Sequence, residues 1–205
     1  MKYKKNSRVI PTSDEVIKRK GFNIELYLKI QIESNRNDID IHRYIRKDAI
    51  NYTKWAKDLG VSRDKIRKDM KELIDLGFIK EYSSTDDIVY YKIRGKYDKY
   101  VLFEEKFIKA LVDLKVKNLI KIYLIYYKYT QVYGTCYLVQ KDILNSIGYN
   151  DNGINREMLR NINKILVSLG LIKTDLVTKH EYGNTKTILN VTAPMYTSTL
   201  FYKNL

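Results

Sequence analysis

The run SRDKIRKDMKELID, from Ser62 to Asp75, places five basic side chains behind a serine and in front of an apolar stripe. Ile66, Met70, Leu73 and Ile74 recur at i, i+4, i+7 and i+8, the period of a helix docked along one face. With Ile66 set at zero and roughly 100° per residue, Asp64, Lys68 and Lys71 fall at roughly 140–200°, and Lys65 and Arg67 lie on the shoulders. Ser62 is an N-cap residue, so the free N–H groups of Ser62 and Arg63 and the positive helix end favour an anion. Thr53 and Lys54 open the shorter apolar-striped segment just upstream, with Thr53 as its expected cap. Such a surface suits phosphates, and Arg67 adds the forked donors that read a guanine edge.

A second run, INREMLRNINKILVSLG, has the same character. Met158, Leu159, Ile162, Ile165, Leu166 and Leu169 form its apolar side, and Arg156, Arg160, Asn163 and Lys164 are expected on the other, with Asn155 in the first turn. Arg pairs with guanine and Asn with adenine, so this face carries base-reading chemistry as well as charge. Lys179, His180 and Lys186 flank the Gly183-Asn184 turn that follows and are the candidate backbone contacts of a hairpin. The corresponding tip in the first half, Ser83-Ser84-Thr85-Asp86-Asp87, is acidic and a poor phosphate contact.

Catalytic constellations are not expected. The two histidines, His42 and His180, are isolated, and no phosphate-binding glycine loop or metal-ligand spacing occurs. Glu104-Glu105 and Asp86-Asp87 are neighbours that diverge on a helix or sit in a turn, unlike a working carboxylate pair. No enzyme activity, cofactor or metal is therefore expected. Tyr123, Tyr126, Tyr127 and Tyr129 fall at helical spacing in an apolar run and read as core and interface rather than base-stacking platforms.

The 205 residues carry 38 Lys and Arg against 24 Asp and Glu, a net charge of +14. Up to Asp98 there are 23 basic and 16 acidic residues, and beyond it 15 and 8, so each half carries +7. A polyanionic partner met along the whole chain fits this balance. Cys136 is the one cysteine, which excludes an internal disulfide and suits a reducing compartment. The charged start has no signal-peptide core, and no apolar stretch approaches the ~20 residues of a membrane span. A cytoplasmic protein with no membrane partner is expected.

Several elements must position these faces. Residues 1–21 read as a basic arm, with a short helix possible after Thr12-Ser13. Over residues 24–34 the apolar positions alternate as in a strand, with a weaker helical stripe beside them. The polar stretch at 35–48 reads as a loop with a helical turn at His42–Arg46. Trp55, Ala56 and Leu59 face inward on a helix ending at Gly60, and Gly77 ends the next one. Phe78–Tyr82 and Ile88–Ile93 read as a hairpin. Helices are expected at Phe103–Leu114 and Leu119–Tyr129, and a short strand in YGTCYL.

The second half repeats the first. Aligning Gly60 with Gly148 pairs Trp55, Ala56 and Leu59 with Ile143, Leu144 and Ile147. Aligning Gly77 with Gly170 sets GFIK over GLIK and Leu73 over Leu166. The offset grows from 88 to 93, a longer turn in the second copy. Analogy with NLIKIYLIYYKYT makes residues 24–34 the first helix of copy one.

The order helix, tight turn, helix, hairpin is that of a winged helix-turn-helix, and NYTKWAKDLGVSRDKIRKDMKELIDLGFIKEY resembles that superfamily of bacterial DNA-binding proteins. The second half, with paired helices before its helix-turn-helix, is similar to winged-helix domains of plasmid and phage replication initiators and replisome organisers. The fold this implies is mainly α with small β-hairpin wings, an α+β chain of two tandem winged-helix domains forming an internal pseudo-dimer. Domain one would span 22–94, a linker 95–101, domain two 102–192 and a tail 193–205. The resemblance implies double-stranded DNA as the partner, origin repeats as the site, and recruitment of host replication proteins, by a monomer or homodimer. A transcriptional regulator, or a partition or conjugation accessory factor, would use the same reader. Protein–protein docking through the winged helices is the reading from another class.

Overall fold

A computed structural model describes residues 9–13, 22–36, 42–83, 87–94, 100–181 and 184–193. The chain divides into two compact units, Met1–Val16 with Phe22–Lys115, and Ile17–Gly21 with Val116–Leu205. Each mixes α-helices with small antiparallel sheets.

Unit 1 contains β1 (Val9–Ser13), α1 (Ile24–Glu33), β2 (Asn35–Arg36), β3 (Arg43–Arg46), α2 (Tyr52–Leu59), α3 (Arg63–Asp75), β4 (Ile79–Ser83), β5 (Val89–Ile93), β6 (Tyr100–Glu104) and α4 (Glu105–Asp113). Residues 24–33 are helical despite their alternation. Asn23 caps the start, its Oδ1 accepting the Leu26 N–H at 2.9 Å, and the helix is buried on most of its circumference, from Ile24 through Gln31. A helix buried all round has no polar side for a 3.6-residue stripe to show against, which is why its sequence mimics a strand.

The sheet runs β2-β3-β5-β4, all antiparallel. Arg43–Arg46, expected as a helical turn, is the strand β3, with Ile45 opposite Tyr91 and both buried. Beneath it the rings of Phe22, Tyr27 and Phe78 pack in tilted and edge-on pairs with centroids 5.3–6.1 Å apart. Trp55 is buried against α1, its Nε1–H donating to Glu33 at 2.7 Å. Lys29 of α1 ties the same two helices, 2.8 Å from Asp58 and 2.7 Å from Glu33.

The cap of α2 is Asn51, whose Oδ1 accepts the Lys54 N–H at 2.9 Å. Thr53, the expected cap, lies two residues further in, because the Asn51 side chain already takes the free Lys54 N–H. Gly60 ends α2 in the left-handed region at φ 65°, and no atom lies within 4 Å of an added Cβ. Gly60→Ala therefore meets only backbone strain, and is expected to cost about 1–2 kcal/mol with no steric clash. Urea denaturation checks it, and Gly60→Asn should cost less, since Asn tolerates this conformation.

β1 pairs with β6, Val9 opposite Glu104 and Ser13 opposite Tyr100. Part of the expected basic arm is thus a strand, and the rest of it lies outside the described residues. The expected helix from Phe103 begins at Glu105. Most of the expected linker, 95–99, is also outside the described residues. The units part between Lys115 and Val116, which leaves β6 and α4 in unit 1. The tertiary reason is local to that unit: β6 completes a ladder with β1, and α4 packs on α1, burying Phe107, Ile108, Leu111 and Val112.

Unit 2 contains α5 (Leu119–Tyr133), α6 (Gln140–Ser146), α7 (Gly153–Ser168), β7 (Lys173–Glu181) and β8 (Asn184–Thr192). α5 is also buried nearly all round, from Leu119 to Tyr126. The strand expected in YGTCYL shrinks to one bridge, Cys136 exchanging both backbone hydrogen bonds with Val191 of β8 at 2.8 and 3.2 Å. Burial raises the Cys136 thiol pKa above its usual value, which keeps it protonated and unreactive.

The two units share an element order. α1-β3-α2-α3-β4-β5 in the first corresponds to α5-(Cys136)-α6-α7-β7-β8 in the second; β3 pairs with β5, and Cys136 makes its single bridge to β8. The aligned glycines share a conformation, Gly60 and Gly148 at φ 65° and 90°, Gly77 and Gly170 at 71° and 68°. Three residues join α2 to α3 and six join α6 to α7, where the longer turn is expected.

Candidate nucleic-acid interface

Two helices, α3 and α7, carry the cations the sequence singles out. Ser62 caps α3, its hydroxyl accepting the Lys65 N–H at 3.2 Å. Ile66, Met70 and Leu73 are buried beneath, while Arg63, Asp64, Lys65, Arg67, Lys68 and Lys71 are all exposed. Thr53 and Lys54 are exposed at the start of α2, and a concavity of about 430 Å³ runs past Asn51 and Thr53 to Arg63. Arg63, Lys68 and Lys71 make no ion pair among the described residues. Arg67 lies 3.5 Å from Asp64 one turn back, a loose exposed contact.

Lys65 behaves differently. It reaches forward one turn to Asp69, a buried carboxylate on the inner side of the helix, which also accepts a hydrogen bond from the Asn23 side chain at 2.8 Å. This cation is spent on holding α3 against the start of α1.

On α7 the cap is Asn152, accepting the Asn155 N–H at 2.9 Å, and the Asn155 amide donates to the Asn150 carbonyl at 2.8 Å. Arg156, Arg160 and Lys164 are exposed. Asn163 is not on that face: it is buried, and its Oδ1 accepts the Tyr126 hydroxyl at 2.9 Å. It stands about 90° from the centre of the apolar stripe, where packing decides the side, and α5 supplies a partner. Burial also raises the Tyr126 phenol, so that hydroxyl stays a donor.

Both arginines of α7 are held by acids of the same segment. Arg156 grips Asp151 with two bonds of 2.6 and 2.7 Å, and Arg160 grips Glu157 with bonds of 3.0 and 2.6 Å. The hydrogen bonds from Arg156 and Arg160 hold the Asp151 and Glu157 carboxyls below their usual pKa values. Since those folded values are depressed, the pairs are intact above the ordinary carboxylate range and are lost only as pH falls through the depressed values. Between about pH 6 and 8 they do not titrate. Pairs this exposed yield readily to a competing phosphate or base. Asp151→Asn with Glu157→Gln is expected to tighten non-specific duplex binding and steepen the salt dependence by up to about 0.9 in log–log slope for each released arginine that gains a phosphate. Fluorescence anisotropy across a salt series measures both.

One residue that the charge pattern does not flag stands beside them. Ile154, in the first turn of α7, is 82% exposed. On the helical wheel it falls within about 20–40° of Ile165 and Met158, at the edge of the apolar stripe, so the sequence pattern does not set it apart. Lys179, His180 and Lys186 lie on the β7–β8 hairpin, Lys179 opposite Lys186 and His180 opposite Thr185. The structure describes their backbone register only.

Among the described residues no group of three or more His, Cys, Asp or Glu could hold a metal ion, and no helix is long and apolar enough to cross a membrane. No model of a known protein family matches the chain, and no curated protein matches its sequence.

Proposed function

We propose that this protein binds double-stranded DNA sequence-specifically through two winged helix-turn-helix readers, α3 and α7, and acts as a plasmid or phage replication initiator or replisome organiser at origin repeats. The observation that carries the reading is the repeated unit. Two copies of helix, strand or single bridge, helix, helix and hairpin each present a side-chain-capped helix before the hairpin, the second of a helix-turn-helix pair, docked by its apolar side and cationic on the outer one. In that class of fold the second helix enters the major groove. Lys68, Lys71 and Lys164 then meet phosphates, Arg67 and Arg160 meet guanines, and Ile154 meets a thymine methyl. Two readers on one chain engage two half-sites without requiring a second copy.

Selection of bound fragments from random and genomic DNA by the purified chain tests this. Direct repeats beside an AT-rich segment support the origin role. A palindrome over a promoter moves the function to transcriptional control with the same reader. No enrichment over input, with binding insensitive to salt, overturns DNA binding itself and leaves protein docking.

A further inference from the structure

Three helices open on an asparagine whose side chain takes a free backbone donor of the first turn. Asn23 accepts the Leu26 N–H, Asn51 the Lys54 N–H and Asn152 the Asn155 N–H, each at 2.9 Å. The caps differ in the residue that follows them. Ile24 and Tyr52 come after the first two, and Gly153 comes after the third, in the one Asn-Gly pair of the sequence.

That difference has chemical weight, because asparagine is a labile residue. The backbone nitrogen after it can attack the side-chain carbonyl carbon, and a side chain on the following residue obstructs the approach. Gly153 has none, and no atom lies within 4 Å of a Cβ placed there. Asn152 and Gly153 are both exposed, so water reaches the pair. Among the described residues neither the Gly153 N–H nor the Asn152 amide nitrogen makes a hydrogen bond, so nucleophile and leaving group are both untied. The Asn155 N–H already points at Asn152 Oδ1, where negative charge gathers as the carbonyl is attacked. Closure needs the Gly153 nitrogen to swing toward Cγ by rotation about the Asn152 ψ of 171°, which releases the Asn152 carbonyl from the Arg156 N–H. Fraying of a first helical turn supplies that rotation at small cost.

We propose that Asn152 is a self-modification site, deamidated through a five-membered ring formed with Gly153. The Gly153 nitrogen bonds to Asn152 Cγ and gives up its proton, the Cγ–Nδ2 bond breaks, and ammonia leaves with that proton. Water then opens the ring at either carbonyl and leaves aspartate or isoaspartate at position 152, with no change of oxidation state. Either product acts on α7. Aspartate keeps the cap but sets a second negative charge beside Asp151, at a helix start that otherwise favours a phosphate. Isoaspartate adds a methylene to the backbone and removes the cap. The effect on DNA, which rests on the proposed reading role of α7, is a loss of affinity that grows with the age of the chain. It is confined to one reader, since α3 is capped by Ser62, which has no amide to lose.

The full chain is aged in mildly alkaline buffer, digested, and sequenced by tandem mass spectrometry, with released ammonia assayed in parallel. The mass gain of deamidation should appear at Asn152 ahead of Asn23 and Asn51, with isoaspartate among the products. Gly153→Ala, for which the structure has room, should abolish the gain over the same period and leave the circular dichroism spectrum unchanged. A gain at Asn152 no faster than at the other two caps overturns the proposal, as does one that persists in Gly153→Ala. The consequence is read separately, by duplex anisotropy on unaged protein. Asn152→Asp should weaken binding about two- to fivefold, while Asn152→Ser, which caps without the charge, should retain it. Unaltered binding by Asn152→Asp overturns the effect of the aspartate product. Absence of duplex binding by the unaged wild type removes the reading role instead, and leaves the modification site standing.

Discussion

Arg67→Ala combined with Arg160→Ala should reduce the preference for a selected duplex over a scrambled one by about 30-fold to 2 × 10⁴-fold, with much smaller loss on the scrambled duplex. Each arginine lies on the outer side of its helix; Asp64 contacts Arg67 only loosely at 3.5 Å, while Glu157, three residues upstream, holds Arg160 at 2.6 Å. That short tether limits the rotamers the guanidinium must give up on binding, and an exposed carboxylate releases it cheaply. A bidentate contact to guanine contributes about 1–3 kcal/mol of discrimination, and two contacts on separate modules add. Lys68→Gln and Lys71→Gln should behave otherwise, weakening all duplexes alike and lowering the salt slope by about one each. Competition anisotropy with selected and scrambled duplexes separates the two patterns. An unchanged ratio in the double arginine variant would remove direct readout from the account.

Phe78→Ala is expected to destabilise unit 1 by about 3–5 kcal/mol, a large share of the stability of a domain this size. Phe78 has no exposed surface, and its ring is the shared member of the cluster with Phe22 and Tyr27, 5.3 and 5.5 Å away. It also follows the Gly77 turn that leads from α3 into β4, so its loss empties the point where the helices meet the sheet. Neighbouring aromatic rings are too stiff to collapse into the gap. The measurement is unusually clean. The chain has one tryptophan, Trp55, buried in unit 1, so the urea midpoint of its fluorescence reports that unit alone. A midpoint shift equivalent to less than about 1 kcal/mol would mean that the cluster is not the keystone of the core.

How far these features are visible in the sequence depends on their range. The Ser62 cap, the Gly60 and Gly77 stops and the Ile66-Met70-Leu73 stripe are interactions within four or five residues, and each appears in the structure as read. Repetition carried the helix at 24–33, where the alternating pattern on its own favours a strand. The strand at Arg43–Arg46 is only four residues long and exists because β5 pairs with it from some fifty residues away, so nothing local announces it. The β1–β6 ladder spans about ninety residues and is equally silent, and it is what keeps α4 in unit 1. Asn163 shows the same limit for a site residue: its position on the helical wheel is indifferent, and the Tyr126 hydroxyl decides its direction. The acids that contact Arg67 and Arg160 are three residues away and legible; Asp151, reaching Arg156 across the cap, is not.

The carboxylate of Asp69 ties together two places that the chain order keeps 46 residues apart. One oxygen holds Lys65 in the opening turn of α3, and the other holds the amide of Asn23, whose own oxygen secures the opening turn of α1. An anion that draws Lys65 outward leaves the buried acid with a single donor and strengthens its claim on Asn23. The start of α3 is thereby linked to the start of α1 through one buried side chain.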